Sequence, residues 1–202
     1  MKQCMYRGIL TVALLVIWVR PGLASDSFNR PGPYLGLGAA GGIENFSGAA
    51  RGAGDSFGFN FRGGYRFNDY LAIEGLYEYM DEFGKTVKGP LGNEATAHIG
   101  TNNFSVMPKL ILPTLGLSQL QPFVSGGIGF LEASGTGKLR VGNARFHGGG
   151  NGTEFAGRVD GGTDYFFTPE LSTFFDLGYV IPTGKFENLD YLSLSAGIKY
   201  NF

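Results

Sequence analysis

Past residue 25, large apolar side chains return at every second position along most of the chain, and no stretch holds them at i, i+3, i+4 and i+7 for three turns. A period of two belongs to β-strands, whose successive side chains point to opposite faces. The pattern predicts an all-β domain with strands at Tyr34 to Gly41, Ser56 to Phe67, Tyr70 to Met80, Asn102 to Leu112, Gln121 to Glu132, Glu154 to Phe167, Glu170 to Ile181 and Tyr191 to Phe202. In the second strand Phe57, Phe59, Phe61, Tyr65 and Phe67 share one face, and Gly58, Asn60, Arg62, Gly64 and Arg66 share the other. The third sets Leu71, Ile73, Tyr77 and Tyr79 against Glu74 and Glu78, and the sixth sets Phe155, Val159, Tyr165 and Phe167 against Arg158, Asp160 and Asp164. The seventh sets Leu171, Phe175, Leu177 and Tyr179 against Asp176, and the last sets Leu192, Leu194, Ile198, Tyr200 and Phe202 against Ser193, Ser195, Lys199 and Asn201. Strand five, PFVSGGIGFLE, has no clean face and is read as irregular, with room for a bulge.

The connections alternate in length. Phe67-Asn68-Asp69-Tyr70 and Phe167-Thr168-Pro169-Glu170 read as tight turns, because Asn, Asp and Pro favour turn dihedrals, and Pro113 to Leu120 is a modest link. Gly42 to Asp55, Asp81 to Thr101 and Ala133 to Thr153 are long, polar and glycine-rich. Short turns at one end and long loops at the other are the asymmetry of a transmembrane barrel, and strands of about 9–11 residues cross a bilayer at a tilt. The predicted fold is therefore an eight-stranded antiparallel transmembrane β-barrel with short periplasmic turns and long external loops. Its even strand count puts both termini at the short-turn end.

Alternation alone does not say which face looks outward. An eight-stranded barrel has an interior just wide enough for side chains to fill, so the bulky aromatic face belongs outside. There it would be a large apolar patch of a kind rare on soluble monomers, which makes lipid the expected solvent. The opposite orientation would set ten charges in lipid, where a single Arg or Lys costs about 2–4 kcal/mol near the midplane. The inward set is balanced: Arg62, Arg66, Lys109, Arg158 and Lys199 stand against Glu74, Glu78, Asp160, Asp164 and Asp176. These ten are the expected partners of a self-neutralising, salt-bridged lumen that is plugged and not open.

Composition agrees with a folded barrel. Glycine supplies 35 of 202 residues, yet the 14% aromatic content is too high for a disordered chain, and the glycines have no three-residue period. A net charge of −1 argues against nucleic acid as a partner. Lys2 and Arg7 precede an eleven-residue apolar run from Ile9 to Val19, followed by Pro21 and the small residues of Gly22-Leu23-Ala24. That is the layout of a secretory signal peptide, and the run is too short for a membrane anchor. Residues 1–24 are expected to be cleaved, leaving residues 25–202 as an outer-membrane barrel domain with 13 basic and 17 acidic residues. The only cysteine, Cys4, leaves with the leader.

The hairpins GYRFNDYLAIEGLYEY and DYFFTPELSTFFDLGY, the leader and the closing LSLSAGIKYNF together resemble the small outer-membrane β-barrels of Gram-negative bacteria, of the outer-membrane protein A transmembrane type. The resemblance covers about residues 33 to 202. It implies location in the outer membrane after signal-peptide cleavage, and it implies that Tyr200 and Phe202 form the terminal signal read by the barrel-assembly machinery. The longer members carry a peptidoglycan-binding domain, and with the sequence closing on Phe202 no such wall-anchoring role is expected here.

Other motifs lead nowhere or stay open. Gly36 to Gly41, GLGAAG, lacks the following helix and distant acid of a dinucleotide site, and reads instead as small residues inside a strand. SGTGKL around Lys138 fails as a phosphate loop. His98 and His147, the only histidines, fall in expected external loops without metal-ligand spacing or a local serine, so neither cofactor nor enzyme is expected. The loop Ala133 to Thr153 holds Lys138, Arg140, Arg145 and His147 with no acid. It either meets lipopolysaccharide phosphates or is an ordinary solvated loop. The expected role is structural or surface-interactive, as a monomer in contact with outer-membrane lipid and lipopolysaccharide, with a narrow channel or a lipid-modifying enzyme as the rival functions.

Overall fold

The computed structural model describes residues 28, 30–46, 54–88, 94–112, 119–141 and 144–202; the predicted leader, 1–24, lies outside them. Eight strands are present: β1 (Gly32–Glu44), β2 (Ser56–Arg66), β3 (Leu71–Lys88), β4 (Glu94–Ile111), β5 (Leu120–Val141), β6 (Ala144–Phe166), β7 (Leu171–Pro182) and β8 (Tyr191–Asn201), with a short 3-10 turn at Gly184–Phe186. Each strand pairs antiparallel with the next, and β8 returns to β1 from Tyr34↔Asn201 to Glu44↔Tyr191, which closes the barrel. Phe202 N donates to Pro33 O at 3.0 Å, so the terminus is held to its last residue.

The two repeated hairpins share one bonding pattern. Phe67 N and Asn68 N both donate to Leu71 O, as Phe167 N and Thr168 N both donate to Leu171 O. Asn68 Oδ1 accepts from the amides of Tyr70 and Leu71, and Thr168 Oγ1 takes the equivalent bond from Leu171 N at 3.0 Å. A short polar side chain that captures the amides two and three residues on is what fixes a tight reversal.

Two expectations are corrected. The segments Asp81 to Thr101 and Ala133 to Thr153 are not loops for most of their length, since β3–β4 pair out to Lys88↔Glu94 and β5–β6 to Val141↔Ala144. These extensions stand beyond the lipid, where neither face needs apolar residues, so the two-residue rhythm that marks a membrane strand is lost from them. Strand five is also regular: Gln121, Phe123, Ser125, Leu131 and Ala133 are buried, and Val124, Ile128 and Phe130 are exposed. The inward positions Gly127 and Gly129 hid this alternation, and a β-carbon there would collide with the carbonyls of Val106 and Phe104. The register shift lies instead in β3 between Met80 and Phe83, where one extra residue moves the inward phase from even to odd numbers, leaving both side chains buried.

Candidate functional site

The lumen is layered along its axis. Near the short turns Arg66 donates to Gln121 Oε1 at 2.7 Å and to the turn carbonyls of Asn68 and Asp69 at 3.0 Å. Above it Asp164 receives Lys109 and Lys199, both at 2.8 Å. Lys109 is also 4.0 Å from Glu74, whose other contacts are Arg62 at 3.4 Å and the Tyr34 hydroxyl at 2.9 Å. Arg62 reaches Asp176 at 2.8 Å on the far side. In the next layer Arg158 grips Glu78 with both terminal nitrogens, at 2.9 and 3.1 Å, while its Nε is 2.9 Å from Asp160. Tyr191 and Ser193 complete the Glu78 carboxylate at 3.0 and 2.6 Å. All ten sequence-derived lumen residues are buried in the barrel interior.

Sequence reasoning missed the aromatic half of the interior. Phe174 lies under Arg62 at 4.1 Å and Phe123 under Lys109 at 3.5 Å, so cations that serve carboxylates on one side rest on rings on the other. Phe174 was legible: Asp176 points inward, so the residue two before it must as well. The external end of the lumen is closed by Phe46, Met80, Phe83, Leu131, Val180 and Tyr191, packed without an ion pair among them. Gly42 in β1 makes room for this cap, where a side chain would meet Phe83 at 2.7 Å, and Gly38 makes room for the ring under Arg62, where a side chain would meet Phe174 at 2.6 Å.

The outer surface is the reverse of the inner. Leu37, Phe61, Ile73, Phe104, Val124, Val159, Phe175 and Ile198 are all exposed on it. Tyr-x-Phe pairs mark three strand ends beside the short turns, Tyr65–Phe67, Tyr165–Phe167 and Tyr200–Phe202, with ring centroids 5.3, 5.3 and 4.9 Å apart. Tyrosine and phenylalanine rings at this height form an interfacial girdle. No helix among the described residues is long and apolar enough to cross a membrane, and the crossing elements here are strands.

Beyond the belt β3, β4, β5 and β6 continue as a four-stranded blade, while β1–β2 and β7–β8 stop lower. Lys138 and His147 are exposed cross-strand neighbours on it, and Arg140 and Arg145 hold the paired backbone positions two residues nearer the tip. His98 sits in β4, with Nδ1 3.0 Å from Glu82 Oε2.

The model of the outer membrane protein beta-barrel domain matches residues 10–202 of this chain. The protein belongs to that family. Among solved structures, this outer-membrane barrel is similar to Neisserial surface protein A, at 18% identity over 84% of this chain and 97% of that one with a TM-score of 0.56. It is also similar to the outer membrane protein OprG from Pseudomonas aeruginosa, at 14% identity over 89% and 99% with a TM-score of 0.57. The attachment invasion locus protein Ail of Yersinia pestis follows at 13% identity over 86% and 100% with a TM-score of 0.55. At such identities the likeness speaks for the fold alone. No curated sequence matches the chain.

Proposed function

We propose that this outer-membrane barrel acts at the cell surface through its external blade and not through its lumen. The observation that carries this reading is the double closure of the interior, buried ion pairs across the middle and an apolar cluster above them. A narrow constriction lined by apolar side chains excludes water, and a cross-linked ionic layer offers no wide polar path. In this reading the leader is cleaved after residue 24, Tyr200 and Phe202 present the assembly signal, and the monomeric barrel has no catalytic task.

The blade's partner in this reading is lipopolysaccharide. Like charges directly opposite on neighbouring strands are unfavourable in water, and an anion between them reverses the sign. Lys138 stands eight residues beyond Phe130, a climb of roughly 20 Å above the belt for a tilted strand. That height favours phosphates on the sugar core over those beside the acyl chains. The test is binding of purified lipopolysaccharide to the detergent-folded protein and to a Lys138→Glu/Arg140→Glu/Arg145→Glu variant. The reading expects at least about tenfold weaker and less salt-sensitive binding by the variant. Equal binding by both proteins would remove the blade from the interaction, and steady single-channel current from the unmodified protein would remove the sealed lumen.

A further inference from the structure

The blade has an open edge. Pairing between β6 and β7 ends at Ala156↔Pro182, and just above it Thr183 caps the edge by donating its amide and hydroxyl to Phe155 O at 2.8 and 2.9 Å. Phe186 then covers Gly152, where an added β-carbon would lie 3.0 Å from its ring. Above Gly152, among the described residues, β6 has β5 on one side and no strand on the other. In an antiparallel sheet alternate residues direct both N–H and C=O to the same side. Since Phe155 points its carbonyl toward β7, the odd residues His147, Gly149 and Asn151 direct theirs to the open edge. Three donors and three acceptors in a row are a template for another strand.

Two glycines at this edge, Gly148 and Gly150, are not required by packing within the fold. At Gly129 or Gly162 a β-carbon would collide with neighbouring backbone, but at Gly148 and Gly150 it would meet nothing within 4 Å, and neither has positive φ. A glycine that packing does not require often marks close approach by a separate backbone. Natural edges are blunted by Pro, Lys or an inward charge, and His147 to Gly152 contains no Pro, no Lys and no acid. Exposed His147 lies on this edge and exposed Lys138 stands beside it one strand back on β5, in a 21-residue segment from Ala133 to Thr153 that carries no acid at all.

We propose that His147 to Asn151 is a docking edge that adds one strand from a partner polypeptide, an extended segment with carboxylates at alternate positions. Backbone bonds to His147, Gly149 and Asn151 hold the strand, Gly148 and Gly150 leave room for its side chains on the concave face, and its acids lie beside His147 on the convex face, with Lys138 one strand behind His147 adding positive charge. This goes beyond lipopolysaccharide contact, which needs the basic side chains and not the edge.

The probe is a capped eight-residue peptide of alternating Glu and Thr, compared with the same peptide N-methylated at alternate residues and with a Lys-Thr counterpart, against the full barrel folded in detergent. The proposal expects the Glu-Thr peptide to bind at least about tenfold more tightly than either control. Asn151→Pro, which removes an edge donor, and the pair Gly148→Val/Gly150→Val should each weaken it by a similar factor while leaving lipopolysaccharide binding unchanged. Heat-modified gel mobility establishes that both variants are folded. Equal affinity for the N-methylated peptide, or undiminished binding by the folded proline variant, would overturn the proposal. Binding of the Lys-Thr peptide as tight as that of the Glu-Thr peptide would overturn its acidic specificity.

Discussion

Arg158 and Glu78 meet through two parallel hydrogen bonds across the barrel, 80 residues apart in sequence and both wholly buried. With Asp160 on its Nε, Arg158 is the cross-brace of the upper ionic layer. Removing one member of such a group leaves the others charged and unpaired in a dry interior, which costs more than the pair contributes. Arg158→Ala should destabilise the folded barrel by about 3–5 kcal/mol, read from urea unfolding in detergent. A double Arg158→Met/Glu78→Leu variant should recover part of the loss, because it removes the stranded charge of Glu78 and leaves only Asp160 without its cation. A smaller loss in Arg158→Ala than in the double variant would mean that the lumen at this level is wet.

The apolar cap above that brace makes a separate prediction. Phe83 packs on Phe46 and Tyr191 with centroids 5.0 and 5.6 Å apart, and it is fully buried. Phe83→Ala should cost about 3–5 kcal/mol by leaving a cavity. It should still carry no steady current in planar bilayers, because the ionic layer beneath remains intact. Conduction in this single variant would show that the apolar cap is the sole barrier.

The two tight turns are alike in backbone but unequal in side-chain bonding. Asn68 Oδ1 accepts two amides, and Thr168 Oγ1 one from Leu171. At about 1 kcal/mol net per hydrogen bond, Asn68→Ala should lose about twice what Thr168→Ala loses in equilibrium unfolding. Equal losses would mean that the shared backbone bonds to Leu71 and Leu171 carry the turns alone.

The terminus separates folding from delivery. Phe202 packs edge-on against Tyr200 and its amide reaches Pro33, yet its side chain lies at the rim. Phe202→Ala should cost only about 1 kcal/mol in detergent, while its yield in the outer membrane of living cells should fall severalfold if the ring is also the assembly signal. Unchanged cellular yield would take that role from Phe202.

Much of this was legible because lipid imposes a strict code on a barrel. Phe59 beside Asn60, or Ile198 beside Lys199, states which side each residue takes, and one correct assignment fixes a whole strand. The code ends where lipid ends. Thr86, Thr96 and Thr136 carry no such instruction, so the pattern predicts loops there although the backbone pairing is continuous with the barrel. Strand five failed for a different reason, since glycine at inward positions is silent in a hydropathy pattern. Partner choice among the lumen charges was not legible either. Balance could be counted, but that Asp164 takes two lysines while Arg158 takes two acids depends on strand stagger. The aromatic floor beneath Arg62 and Lys109 is masked by adjacency, since Phe174–Phe175 and Phe123–Val124 each set two apolar side chains in a row and hydropathy alone does not say which one points inward.

The central claim is that the apolar face is the outer skin and the ionic face is sealed inside. Photolysis of a lipid-soluble carbene precursor in vesicles holding the folded protein, followed by peptide mass spectrometry, tests it residue by residue. The account predicts labelling at Phe59, Phe104, Ile128 and Ile198 with little at Asn60, Lys109, Arg158 and Asp160. Labelling of the second group with sparing of the first would contradict it.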